Sequence, residues 1–536
     1  MPFGRHIVSR SPKSAITRSP LSGIAGRTVM RRRAFLGLVA CLGLAIAAVA
    51  PATAGPLTPG PLVQVSGTSA FVGCTADAVA SQSGTVYLNS EVEPWIDVNP
   101  TNPANVVGIW QQDRWSNGGA RGLVAGVSTN GGSSWQQVPI PGISLCSGGA
   151  YQRSTDPWVS FGPNGTLYQL ALSFNDIAPP FLPADFDHAL LASRSVDGGL
   201  TWSDPVAVRR DTDANVFNDK QTITADPTAA NLVYGVWDRL VFPSSEAASV
   251  RASFRTSAFR GPIWFARSTN GGVSWEPARQ LYDPGQNDQT IGNQIVVLPN
   301  GTLVNAFAEF NNENTDKLRG WTVRVLRSTD KGVSWSGPIL VDRLQTIGVT
   351  DPDTGDDVRT GDIIPDVAVD AASGRLYAVW QDARFSDSQF DSIAFSQSLD
   401  GGLSWSTPIK INQTPTNLPA GNQQAFTASV HVSANGTVGV SYYDFRNNTP
   451  APATLETDHF LVHCHPTTPT ACTNPANWGD EVRVTNTSFN MRQAPDAGGF
   501  FTGDYEGLDN IGASFTSFFS QPHGSDPSSA FFRRVG

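Results

Sequence analysis

From about residue 60 onward the chain is filled with short runs of alternating apolar and polar residues, closed off by Gly, Pro, Asn and Asp. Alternation with period two over four to eight residues marks a half-buried strand. The stretch Val98-Asn-Pro-Thr-Asn-Pro-Ala-Asn-Val-Val-Gly-Ile-Trp110 has counterparts at 225–237 and 369–380, with shorter versions at 161–168, 298–304 and 432–438. Each reads as strand, turn, strand. Between them an eight-residue pattern occurs five times, first as Ser128-Thr-Asn-Gly-Gly-Ser-Ser-Trp135 and then from Ser195, Ser268, Ser328 and Ser398, each copy flanked by apolar strands. In this turn the Asp or Asn carboxyl or amide and the Ser hydroxyl accept from backbone N–H groups, Gly supplies positive φ, and Trp covers the hairpin base.

Two hairpins per repeat make four strands, and four-stranded units repeated radially are propeller blades. The box serines at 128, 195, 268, 328 and 398 set a repeat of 60 to 73 residues, which divides the folded region into about seven units. The expected fold is therefore all-β, a β-propeller of four-stranded blades, with seven preferred over six plus extensions. The tail supplies strands near 505–508, 513–518 and 530–533. The segment 61–66 is the missing fourth, so pairing of N- and C-terminal strands would close the ring and remove its exposed edges.

The box resembles the Asp-box, or bacterial neuraminidase (BNR) repeat, S-x-D-x-G-x-[ST]-W, of the bacterial sialidase superfamily. That resemblance implies a β-propeller with the boxes on its periphery, away from the site, and an exo-α-sialidase activity on terminal sialic acids of glycoconjugates. Such enzymes hold the sugar carboxylate with three arginines and use a Tyr nucleophile assisted by a Glu, plus an Asp acid/base. The family's F/Y-R-I-P motif is absent from this sequence. A non-catalytic propeller that binds glycan or protein, and a hydrolase of another polysaccharide using two rim carboxylates, are the alternatives.

Composition supports many short strands: 15% of residues are charged, against 51 Gly and 38 Pro. Residues 1–54 read as an export signal of twin-arginine type. Basic residues come first, with Arg32-Arg33-Ala34-Phe35-Leu36 among them, then an apolar run from Phe35 to Ala50 and an Ala52-Thr53-Ala54 end. A lipobox at Leu38-Val39-Ala40-Cys41 is the competing reading. Residues 55–91 form an N-terminal segment with the closing strand, and 92–536 the propeller. The leader holds eight basic residues and no acidic one, so its removal takes the net charge from −10 to −18. A chain this acidic disfavours nucleic acid. A secreted bacterial protein is expected, a monomer with no transmembrane span after processing and a glycan as partner. Four cysteines then remain, and an exported chain would pair Cys464 with Cys472 and Cys74 with Cys146.

Candidate chemistry lies on one rim. The starts of inner strands carry Glu93, Asp156, Asp219, Asp366 and Asp504. Loops leaving the second strands repeat Asp113-Arg114, Asp238-Arg239, Asp382-Ala-Arg384 and Asp444-Phe-Arg446. Guanidinium forks match a carboxylate, so Arg114, Arg239, Arg384 and Arg446 are the expected substrate ligands. The segment Gly503-Asp-Tyr-Glu-Gly-Leu508 holds the three catalytic residue types, making Asp504, Tyr505 and Glu506 candidates together with Asp156 and Glu93. A repeated Asp–Arg clamp pinning blade loops is the competing reading of the arginines. No cofactor is required. Asp351, Asp353 and Asp356 surround a Gly in a pattern suited to a structural Ca2+, an acidic surface loop being the alternative.

Overall fold

The computed structural model describes residues 56–77, 84–175, 187–242, 260–311, 320–451 and 453–536. The export-signal reading falls on residues outside these. The described chain is built mostly of antiparallel β-sheet, and its complete helical elements are six 3-10 turns of three or four residues.

Seven sets of four strands follow one another. The first comprises Glu91–Val98, Val106–Arg114, Ala120–Ser128 and Gln136–Pro139, paired in that order. The later sets begin with Arg153–Phe161, Val216–Ala225, Asp288–Val297, Asp366–Val369, Ala425–Val432 and Gly507–Ile511. A single bridge, Ala120 to Ser154, joins the first two sets. The seventh set is completed from the other end of the chain: Pro59–Gln64 pairs antiparallel with Asp526–Val535, Leu62 facing Arg533 and Val63 facing Phe532.

Side-chain bonds link the first strands in sequence. Asp97 Oδ2 of the first set accepts from Phe161 N of the second (2.7 Å), and Ser160 Oγ from Ala225 N of the third (3.1 Å). Thr224 Oγ1 donates to Ile295 O of the fourth (2.8 Å), whose Gln294 Oε1 accepts from Val367 N of the fifth (3.2 Å). Asp366 Oδ2 accepts from Val430 N of the sixth (2.7 Å), and His431 Nε2 meets Asn510 Oδ1 of the seventh (2.9 Å). Asp509 Oδ2 then accepts from Val98 N (2.7 Å), and the order has returned to its start.

Apolar layers fill the space between neighbouring sets. Trp110, Trp237 and Trp380, each at the end of the repeated second-strand pattern, are fully buried. Buried Trp N–H groups need acceptors, and these find Gln112 Oε1 (2.9 Å), Asn218 Oδ1 (3.0 Å) and Asp382 Oδ2 (2.8 Å). The box turns hold the bonds their sequence implies. In the fourth, Asp330 Oδ1 accepts from Ser334 N (2.9 Å) and Ser328 Oγ from Gly332 N (2.8 Å). Its Trp335 packs on Phe265 of the preceding set, ring centres 5.6 Å apart. The residue before the box serine reaches onward to the next turn: Arg194 to Gly271 O (3.4 Å), Arg267 to Lys331 O (2.8 Å) and Arg327 to Gly401 O (2.7 Å). Disulfides join Cys74 to Cys146 and Cys464 to Cys472.

Candidate functional site

Five of the first strands share one irregularity. Their pairing slips at Val92/Trp95, Thr155/Trp158, Asp219/Thr222, Ile291/Gln294 and Phe426/Ser429, where two residues oppose one. The first residue of each slip is left-handed: Glu93 (φ 52°), Asp156 (51°), Lys220 (47°), Gly292 (71°) and Thr427 (48°). Such a bulge re-aims a side chain that strict alternation would send elsewhere. A non-glycine residue held there costs about 1–3 kcal/mol, a conformation typical of functional positions.

Three of these re-aimed side chains meet. Lys220 Nζ donates to Glu93 Oε1 (2.6 Å), Asp156 Oδ1 (2.8 Å) and Asp504 Oδ2 (2.8 Å). Arg359 donates to both oxygens of Asp504 (2.9 and 2.5 Å). Gln111 Nε2 donates to the other oxygen of Glu93. Lys220, Glu93, Asp156 and Asp504 are all more than nine-tenths buried. They line, with Arg114, Asp219 and Arg359, a cleft of about 180 Å³.

Arg359 comes from a small sheet outside the seven sets. Val349–Thr350 and Asp357–Arg359 form its hairpin, and Phe500–Phe501 joins in parallel. Arg359 and Arg114 both lie over the Phe501 ring, at 4.4 and 5.2 Å. Gly361 lets this sheet approach: a Cβ there would sit 2.0 Å from Asp504 O, and its φ is +62°. Arg114 differs from its neighbours. Its Nη1 donates to Gln111 Oε1 (3.2 Å) and Gly119 O (3.0 Å), its Nε is buried without a partner, and among the described residues it forms no ion pair.

Protonation divides the carboxylates. Burial pushes Glu93 up to about 8 against the pull of Lys220, and burial likewise raises Asp156. Burial opposes ionisation of Asp504 too, but Arg359 and Lys220 outweigh it and hold that carboxyl well below its ordinary range. Burial, with Arg359 adding repulsion, lowers Arg114 to about 10. At neutral pH the cleft therefore presents an ionised Asp504 beside a carboxyl that keeps its proton.

The other residues read onto the rim from sequence have partners of their own. Arg239, Arg384 and Arg446 do not join Arg114. Arg239 is bound to Asp211 (2.5 and 2.9 Å), Arg384 to Asp382 (2.9 and 2.8 Å) and Asp342 (2.8 Å), and Arg446 to Asp444 (2.7 Å) and Glu481. Buried carboxylates draw these guanidinium groups into the sheets. Tyr505 is turned from the cleft. Its hydroxyl donates to Pro157 O (3.1 Å), its ring packs by Trp158 (5.3 Å), and burial raises the phenol well above its ordinary value. Glu506 bonds the Tyr443 hydroxyl and lies 3.2 Å from His459; burial keeps both Glu506 and His459 uncharged. Tyr505 and Glu506 instead line a 30 Å³ cavity that shares Lys220 and Asp504 with the cleft. Finally, the Asp351–Asp356 loop is the turn of the Arg359 hairpin. Arg492 grips Asp351 (2.6 and 2.9 Å) and approaches Asp353 (3.5 Å).

No family model matches the chain, and no curated protein matches it. Among solved structures it is similar to a Penicillium chrysogenum α-L-arabinanase complexed with arabinobiose, at 12% identity over 72% of this chain and 94% of that one, TM-score 0.43. It is also similar to a Hadza microbial sialidase (13%, 80% and 73%, TM-score 0.44) and a Trypanosoma rangeli sialidase in complex with sialic acid (14%, 75% and 55%, TM-score 0.40).

Proposed function

We propose that the seven sets are blades of one closed propeller and that the protein is an exported glycoside hydrolase acting on a carboxylate-bearing sugar, terminal sialic acid being the first substrate to test. The observation that carries this is Arg114, a buried guanidinium without a carboxylate partner, facing a cleft that also holds an ionised and a protonated carboxyl. Arg114 offers its guanidinium donors to the sugar's carboxylate, while Arg359 spends its fork on Asp504. Glu93, paired with Asp156, is the proton donor to the leaving oxygen, and Asp504 is the nucleophile or its electrostatic equivalent. Oxygens that each lie within 2.8 Å of one nitrogen are too close for the roughly 6.5–9.5 Å separation of an inverting pair, which favours retention.

The test is fluorophore release from a sialoside and from glucuronides by purified protein, with Glu93→Gln, Asp504→Asn and Tyr505→Phe. The first two are expected to lose at least about a hundredfold in kcat, the scale of general acid–base catalysis, and Tyr505→Phe to retain turnover. No turnover of any acidic glycoside would remove the reading. The central placement of Lys220 favours a second reading, a mouth that binds an acidic glycan without cleaving it. Saturable binding with no product would select that one.

A further inference from the structure

Glu93, Asp156 and Asp504 reach one point from the first set, the second set and the segment leading into the seventh, and what they share is an amine from the third. We infer that Lys220 is the positioning residue of this constellation: its ammonium is a built-in cation that gathers three carboxyl groups in the arrangement other proteins assemble around a divalent metal. This does not depend on the chain being a hydrolase.

The geometry is that of a coordination shell. Three oxygens surround Nζ at 2.6–2.8 Å, a few tenths of an ångström beyond the roughly 2.3–2.6 Å of Ca2+–oxygen bonds. Asp219, the preceding residue, adds its charge to the pull on the ammonium, and the Tyr505 ring lies 5.5 Å from the nitrogen. The other cations facing the cluster are Arg359, which bonds Asp504, and Arg114, which bonds Gln111 and Gly119 O; among the described residues only Lys220 bonds all three carboxyl groups. An ammonium supplies one charge with three donors and cannot exchange with solvent ions. The strained φ of 47° at Lys220 is the backbone cost of delivering it.

Removing the side chain should convert the point into a site for a hard cation. Lys220→Gly accepts the positive φ and leaves the centre empty, whereas Lys220→Met fills the same space without charge. Tb3+ is the probe, excited through the nearby Trp95, Trp158 and Tyr505. Lys220→Gly is expected to bind one Tb3+ more tightly than about 1 mM, within the range of protein Ca2+ sites, and to gain melting temperature with added Ca2+. The parent and Lys220→Met should do neither, and adding Glu93→Gln to Lys220→Gly should abolish the luminescence. A folded Lys220→Gly that binds no Tb3+, or equal binding by the parent, overturns the inference. If Lys220→Gly fails to fold, Lys220→Arg decides: a pH–binding profile for an acidic glycoside identical to the parent's would reject a role for ammonium geometry, and a displaced profile would support it. Absence of hydrolysis in the parent would remove the proposed activity and leave the Tb3+ result standing.

Discussion

Glu91 stands two residues before Glu93 on the same strand and has a different environment. It accepts from Ser66 Oγ (2.8 Å) and Gln112 Nε2 (2.5 Å), and burial pushes it up to about 8 from an ordinary 4.5. A carboxyl raised on folding contributes stability that is present below its unfolded value and lost as pH climbs through the folded one. The Glu91 contribution therefore fades between about pH 4.5 and pH 8. Glu91→Gln has nothing to ionise, so thermal melts should show its advantage over the parent growing by a few degrees from pH 5 to pH 8.5. A constant difference across that window would contradict the buried-acid account. Arg114 is tested by Arg114→Lys, which keeps the charge and loses the fork. For an acidic glycoside the expected result is a KM raised about tenfold or more with kcat nearly kept, since uniform binding is what a carboxylate clamp provides.

At the scale of strands and turns, the sequence and the structure agree where local chemistry decides. The box turns were legible because their bonds run between residues four apart, as from Ser334 N to Asp330 Oδ1. The bulges were not. Period-two reasoning puts Asp219 at the rim and hides Lys220, and only a register slip that no single residue announces brings Lys220 forward. Glu93 and Asp156 were reachable because each falls at the start of a repeated inner strand. Arg359 was invisible for a different reason: its hairpin belongs to no repeat, and its acidic turn drew attention to a metal instead. Of the four Asp–Arg pairs, Asp382–Arg384 and Asp444–Arg446 are clamps, while Arg239 turns to Asp211 and Arg114 to Gln111. Gly361 gives a sharp test at this scale. Gly361→Ala should push the Arg359 hairpin off Asp504 and lower affinity for an acidic glycoside, while leaving the distant box turns intact by tryptophan fluorescence. Retained affinity would mean the hairpin does not position Arg359. Calcium chelation, by the same logic, should leave the melting temperature unchanged, because Arg492 already neutralises Asp351.

For the whole molecule, two kinds of long-range tie matter. The Cys74–Cys146 bridge spans 72 residues, and chain-entropy reasoning sets its contribution at up to about 4 kcal/mol. Reduction should lower the melting temperature by several degrees without moving the cleft residues, a separation that binding and stability measurements on Cys74→Ser/Cys146→Ser would reveal. The pairing of Pro59–Gln64 with Asp526–Val535 sets a condition on biosynthesis. One strand emerges from the ribosome early and waits for a partner made hundreds of residues later. A nascent or truncated chain thus carries an unfilled seat in its final sheet, and cellular proteases can read that vacancy as a sign of incomplete synthesis. An affinity tag placed directly after Gly536 sits beside this seam, so a tag that crowds it would harm folding.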